Sequence, residues 1–186
     1  MSRVDDLWYL AADARETAEQ VQYRLSRRHE SYLERETTRR VSRSRFRTLA
    51  ERIGDNGLPY GAHTVVYRPS GELLLVRDSV VNQWVLPGGC CDGDESCRRA
   101  AERELAEEAG VEVTYDGLGL LTRVELRADG YETWGVLPVY AAEARAFEPS
   151  VSDPDGEIVD AAWFDDLPAD TRDREDLLAW RERALE

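Results

Sequence analysis

The amino-acid sequence predicts a layered α/β/α domain preceded by an N-terminal helical hairpin, and three observations carry that prediction. The apolar period is helical up to about Ile53, strand-like from Gly61, and helical again once in the centre and once near the end. A run of turn-formers, Gly54-Asp55-Asn56-Gly57-Leu58-Pro59, separates the first regime from the second. Charge divides at the same place: residues 1–55 balance at +2 and residues 56–186 at −16, together the net −14. Residues 1–57 read as a module for dimerisation or substrate capping, and residues 58–186 as the main domain.

Within the first module, Val4, Leu7, Trp8, Ala11, Ala14, Ala18, Val21 and Leu25 recur at spacings of three and four, which makes one helical stripe. A second helix is expected from about Glu30 to Ile53, with Leu33, Thr37, Val41, Leu49 and Ile53 as a weaker stripe. Neither helix covers its own stripe, so the two pair as a hairpin or pack on a partner, and a homodimer is expected.

In the main domain, Ala62–Tyr67 is β-branched and reads as a strand, followed by the turn Pro69-Ser70-Gly71. Glu72–Arg77 and Trp84–Leu86 read as the next two strands. A helix from about Ser96 to Ala109 stops at Gly110, a residue suited to a left-handed end. Strands recur at about Glu112–Arg127, interrupted near Gly117, then at Tyr131–Ala142 and Glu157–Phe164. A last helix starts near Thr171, a good N-cap, and carries Leu177, Leu178 and Trp180.

Composition narrows the setting. No stretch approaches the roughly 20 apolar residues of a membrane-spanning helix, and Met1-Ser2-Arg3 followed by Asp5 and Asp6 has no apolar leader region. A soluble cytoplasmic protein is expected. All 24 basic residues are arginine, since the sequence has no lysine. An acidic surface without lysine stems suits high intracellular salt, as in salt-loving archaea; a GC-rich genome favouring arginine codons is the alternative. Cys90, Cys91 and Cys97 fit neither a disulfide framework nor a zinc pattern, so they read as small buried side chains.

The chemistry concentrates between Gly89 and Val111. At about 100° per residue, Glu104, Glu107 and Glu108 span roughly a 100° arc of one helix, beside an apolar stripe of Ala101, Leu105 and Ala109. Like charges so placed cost an isolated helix roughly 0.2–0.5 kcal/mol per pair. A hard divalent cation such as Mg²⁺ or Mn²⁺ removes that cost, and Mg²⁺ commonly takes phosphate oxygens as further ligands. A solvated acidic face explains any one glutamate. It does not explain the Gly88-Gly89 turn, the spaced Glu95, and Arg103 four residues before Glu107 together.

The stretch resembles the Nudix box at every position: G, five residues, E, seven residues, then R-E-U-x-E-E-x-G-U, with Leu105 and Val111 as the aliphatic places. Trp84-Val85-Leu86-Pro87-Gly88-Gly89 is similar to that family's entering strand, and Glu157–Phe164 with Leu167-Pro168 to its closing strand and loop. The likeness covers about residues 58–186 and implies an α/β/α sandwich around a mixed sheet. It implies hydrolysis of a diphosphate bond in a nucleotide-type substrate, with Glu104, Glu107 and Glu108 holding Mg²⁺ or Mn²⁺ and the Gly89 carbonyl as a further ligand. Arg103 would orient the carboxylates, with Glu95 and Gly88 in support. Glu104 is one candidate for the base. The acidic loop of Asp153, Asp155 and Glu157 offers another, or an extra ligand.

The group linked to the diphosphate stays open. Arg123-Val124-Glu125-Leu126-Arg127 lacks both the proline that resembles ADP-ribose pyrophosphatases and the tyrosine that resembles diadenosine polyphosphate hydrolases. The helical module is similar to a subgroup that includes CDP-choline and ADP-ribose pyrophosphatases. A nucleoside-diphosphate-linked substrate is expected, with nucleoside triphosphates as the enzyme alternative. Trp134, Tyr131 or Phe147 could stack on a base. Arg35, Arg39, Arg40, Arg43, Arg45 and Arg47 make the second helix basic, so a nucleic-acid-binding regulator is the other alternative. His29 and His63 receive no role, and Asp78-Ser79 reads as a turn.

Overall fold

The computed structural model describes residues 6–185, in twelve elements. In chain order they are α1 (Asp6–Arg28), β1 (Leu33–Arg40), α2 (Arg43–Asn56), β2 (Ala62–Tyr67), β3 (Leu73–Asp78), β4 (Gln83–Val85), β5 (Gly88–Gly89), α3 (Cys97–Glu108), β6 (Val113–Ala128), β7 (Tyr131–Ala144), β8 (Ile158–Phe164) and α4 (Arg174–Leu185). They form two compact units. One holds the chain up to Gly61 together with Leu121–Leu137; the other holds Ala62–Leu120 and Pro138–Glu186.

In the first unit, α1 buries Leu7, Ala11, Ala14, Ala18, Val21 and Leu25, the predicted stripe apart from two members. Val4 lies outside the described residues, and Trp8 is 65% exposed. The expected second helix is corrected. Leu33–Arg40 is a strand in which Leu33, Arg35, Thr37 and Arg39 are half-buried while Glu34, Glu36, Thr38 and Arg40 are exposed. That period of two, with adjacent β-branched threonines, outweighs the sparse helical spacing. The helix begins only after Ser42, whose hydroxyl accepts from the Arg45 N–H at 3.1 Å. It buries Phe46, Leu49, Ala50 and Ile53. Gly57 ends it at φ +85, where a Cβ would lie 2.5 Å from Val21 of α1.

The β6–β7 tip completes this unit through Asp129-Gly130, both at positive φ as a tight hairpin turn requires. The buried Thr133 hydroxyl donates to the Ala11 carbonyl at 2.9 Å, and the Val136 N–H donates to the Gly57 carbonyl at 3.0 Å. The buried residues of both helices are therefore covered within the unit, and Trp8 is the described member of the α1 stripe left exposed.

The second unit is built on a mixed sheet. β2 runs parallel to β7 and antiparallel to β3 and β5, while β3 runs antiparallel to β4 and β8. Alternation along β2 assigns helices to both faces. Val66 packs with Leu105 and Ala109 of the α3 helix and its end, in a core with Leu74, Val76, Val111, Ala144 and Ile158. The neighbouring Tyr67 points the other way, 5.7 Å from the ring of Trp180 in α4. This is the expected α/β/α layering. Two details differ. β6 continues through Gly117 without a break, and α4 starts at Arg174, because Thr171 is buried in a bridge to Trp84 and does not cap it.

Candidate active site

The Gly88-Gly89 pair lies on β2, with Gly88 opposite His63 and Gly89 opposite Ala62. A Cβ at Gly88 would stand 2.5 Å from both the Ala62 carbonyl oxygen and the His63 ring, and one at Gly89 would stand 2.7 Å from the Glu104 carboxylate. Two missing side chains thus let an imidazole and a carboxylate close on one short strand. The Gly88 N–H donates to Glu108 Oε2 at 2.9 Å. Of the box carboxylates, Glu108 is the most buried, at 8% exposed.

Arg103 joins the rest. Its Nε and one terminal nitrogen grip Glu95 bidentately at 3.1 and 3.0 Å, and that nitrogen also donates to the Cys90 carbonyl at 3.0 Å. The other terminal nitrogen reaches Glu104 at 2.8 Å and Glu107 at 3.5 Å. The helical spacing points to Glu107 as the partner of Arg103; in the structure that contact is the longest, and Glu95 and Glu104 hold the guanidinium. Glu95 is itself fixed by the Asp92 N–H at 3.0 Å.

The electrostatics follow from this arrangement. The Arg103 hydrogen bonds hold the Glu95 carboxyl below the ordinary carboxylate range. Burial pushes Glu104 up, against the pull of Arg103. Burial pushes Glu108 up to about 8, opposed by the Gly88 N–H and reinforced by the charges of Glu104, Asp153 and Asp78.

The acidic loop is tied to the end of α3. Ser150 N–H donates to the Ala109 carbonyl at 2.6 Å and Ser152 N–H to the Glu107 carbonyl at 2.9 Å. Asp153 lies close enough to raise Glu104 and Glu108, yet its own oxygens accept from the N–H groups of Asp155, Glu157 and Ile158. It organises the loop. Asp155 and Glu157 are exposed and enter the loop's hydrogen bonding through their backbone.

Among the described residues, no three His, Cys, Asp or Glu side chains already converge as metal ligands. The chemistry of the donor set nevertheless fits a hard divalent cation. Glu104, Glu107 and Glu108 supply only carboxylate oxygens, the Gly89 backbone lies against Glu104, and a single guanidinium offsets Glu104 and Glu107.

Several contributors escape sequence reasoning. Asp92, 3.4 Å from Arg103, and the Cys90 carbonyl complete the arginine's shell, and the His63 ring covers Gly88. A backbone carbonyl leaves no trace in residue type; Asp92 was visible only as one acid among many. The cysteines are also not buried as expected: Cys90 is exposed, and Cys91 and Cys97 are half-exposed, because the segment is a surface turn with little core beneath it. Of the stacking candidates, Trp134 is buried under Arg123, whose guanidinium is 3.9 Å from the ring centre, and Tyr131 lies between Arg43 and Phe46. Phe147 is the exposed one, flanked by Arg68 and Trp163. The six arginines do not share a helix: Arg35, Arg39 and Arg40 are on β1, and Arg43, Arg45 and Arg47 on α2.

Comparison with known proteins agrees with this geometry. A putative 8-oxo-dGTP diphosphatase of Bacillus subtilis (strain 168) is 33% identical over 93 residues, 41% of this chain, which spans only 62% of that relative's length. Two solved structures share the fold. The NUDIX domain of Shewanella oneidensis NrtR complexed with ADP ribose matches at a TM-score of 0.51 and 22% identity, covering 67% of this chain and 86% of that one. An ADP-ribose pyrophosphatase from Streptococcus suis 89-1591 matches at 0.50 and 21%, covering 69% and 94%. The NUDIX domain family model matches residues 57–180, a span that contains the whole Gly89–Val111 motif and its carboxylates, and the chain therefore belongs to the NUDIX family.

Proposed function

We propose that this chain is a hydrolase of a diphosphate linkage in a nucleotide-type substrate, acting with a divalent cation held by Glu104, Glu107 and Glu108. NUDIX hydrolases generally use divalent metal ions. The observation that carries the reading is the carboxylate cluster gathered on one arginine and one glycine strand, a costly arrangement that a cation would relieve. A bound Mg²⁺ or Mn²⁺ would neutralise charge developing on the diphosphate and lower the pKa of the attacking water. The chain's own residues do the rest. Arg103 holds Glu104 and Glu107 in register, the Gly88 N–H aims Glu108, and Glu104 takes the proton of the attacking water. Asp153 is not the base in this reading, since backbone N–H groups occupy its oxygens.

For the substrate we favour a nucleoside diphosphate linked to another moiety, such as ADP-ribose or CDP-choline. Nucleoside triphosphates are the second reading, supported by the name of the 33%-identical relative. A nucleic-acid-binding role loses its premise of one basic helix, because the arginines divide between a strand and a helix and Arg47 pairs with Asp6 at 2.7 Å. The test is phosphate release across ADP-ribose, CDP-choline, UDP-sugars, dinucleoside polyphosphates and nucleoside triphosphates, with Mg²⁺ or Mn²⁺ and Glu107→Gln alongside. Turnover of one class, lowered about a hundredfold or more in the variant, is expected. Turnover untouched by Glu107→Gln would remove the metal assignment.

A further inference from the structure

A cleft of about 280 Å³ opens in the first unit, lined by Gln22 of α1, Glu34, Arg35 and Glu36 of β1, and Leu121 and Arg123 of β6. β1 and β6 are neighbours in the sheet. Arg123 lays its guanidinium on the buried Trp134 ring, 3.9 Å from the ring centre. Such a stack uses the face of the guanidinium and leaves its in-plane N–H donors unspent. Arg123 is half-buried, and among the described residues it has no ion pair and no hydrogen-bond acceptor for those donors. Glu36, exposed on the neighbouring strand, likewise makes no ion pair among the described residues. Strong donors and a strong acceptor thus line one cavity without closing on each other.

We propose that this cleft binds a nucleobase of a definite kind, a ring with two adjacent acceptors and an amino donor. The edge of a guanidinium carries parallel N–H groups, which match two acceptors side by side. Guanine offers O6 and N7, cytosine offers O2 and N3, and both carry amino hydrogens that a carboxylate such as Glu36 accepts. Adenine separates its acceptors with the N6 amino group. Uracil separates its own with N3–H and has no amino group. The charges lining the cleft balance, Arg35 and Arg123 against Glu34 and Glu36, so a neutral ring suits it better than a polyanion. Leu121 adds an apolar wall for the ring, and Gln22 an amide that both donates and accepts. Base recognition here needs neither a metal nor a diphosphate, so it stands independently of the hydrolytic reading.

The experiment is calorimetry on the full chain in EDTA, titrated in turn with GMP, CMP, AMP and UMP. Every probe then carries the same phosphate, and no metal assists binding. GMP and CMP are expected to bind about tenfold or more tighter than AMP and UMP. Arg123→Lys keeps the charge without the paired edge, and it should abolish that preference. Glu36→Ala, at an exposed position, should weaken GMP and CMP about tenfold and leave the melting temperature unchanged. Should Arg123→Lys disturb the packing on Trp134, Glu36→Ala still decides. Equal affinity for all four nucleotides would assign recognition to the phosphate and overturn the proposal. So would no binding at all, or a base preference that survives Glu36→Ala. None of these outcomes touches the hydrolytic reading, which is tested with metal and a diphosphate.

Discussion

Arg103 concentrates the site's chemistry in a single side chain. A planar guanidinium can satisfy Glu95 with two parallel bonds while its other nitrogen turns to Glu104, and a lysine cannot. Arg103→Lys keeps the charge and removes that geometry. We expect kcat to fall about tenfold to a hundredfold with KM for the nucleotide little changed. Restored kcat at high Mn²⁺ would place the defect in metal affinity, and an unchanged kcat would show that charge alone suffices. The glutamates and this arginine were legible as residue types at fixed spacing. Their pairing was not, because the helix period brings Glu107 into view while Glu95 arrives from a loop that only the turn geometry places.

At the scale of elements, close packing in the first unit rests on positions where one atom too many is felt. Gly57 is such a position: its left-handed φ and its 2.5 Å approach to Val21 both exclude a side chain. Gly57→Ala should destabilise the protein by about 2 kcal/mol or more, read as a lower denaturant midpoint, while Gly54→Ala, half-buried but with open space where its Cβ would go, should not. Sequence pattern recovered the elements that repeat cleanly, such as α1 with its six buried apolar residues and α3 behind its Ser96 cap. It failed at β1, where seven polar and charged residues with a single leucine carry no apolar alternation, and charges show burial only once a neighbouring strand is known. It also misread Thr171, whose hydroxyl chemistry suits a cap but whose place is beside Trp84.

For the molecule as a whole, the dominant quantity is the net charge of −14. Self-repulsion of that size is screened over about 3 Å at 1 M salt against about 10 Å at 0.1 M. If the acidic surface is an adaptation to salt, the melting temperature should rise continuously between 0.1 and 2 M KCl, by several degrees, and be matched by NaCl. A melting temperature flat across that range would return the arginine-only composition to codon usage. No helix among the described residues is long and apolar enough to cross a membrane.

The division of the chain into units has one more consequence. Leu121–Leu137, the tip of the β6–β7 hairpin, belongs with the N-terminal helices although it lies far from them in sequence. A chain cut just before Ala62 would keep that tip and lose α1 and α2, leaving Val124, Leu126, Trp134 and Val136, all buried in the intact protein, facing water. The N-terminal segment is therefore not a detachable bead ahead of a catalytic domain. It is half of a small core whose other half is lent by two of that domain's own strands, so removing the residues before Ala62 would lay bare apolar surface that the intact chain buries and favour self-association.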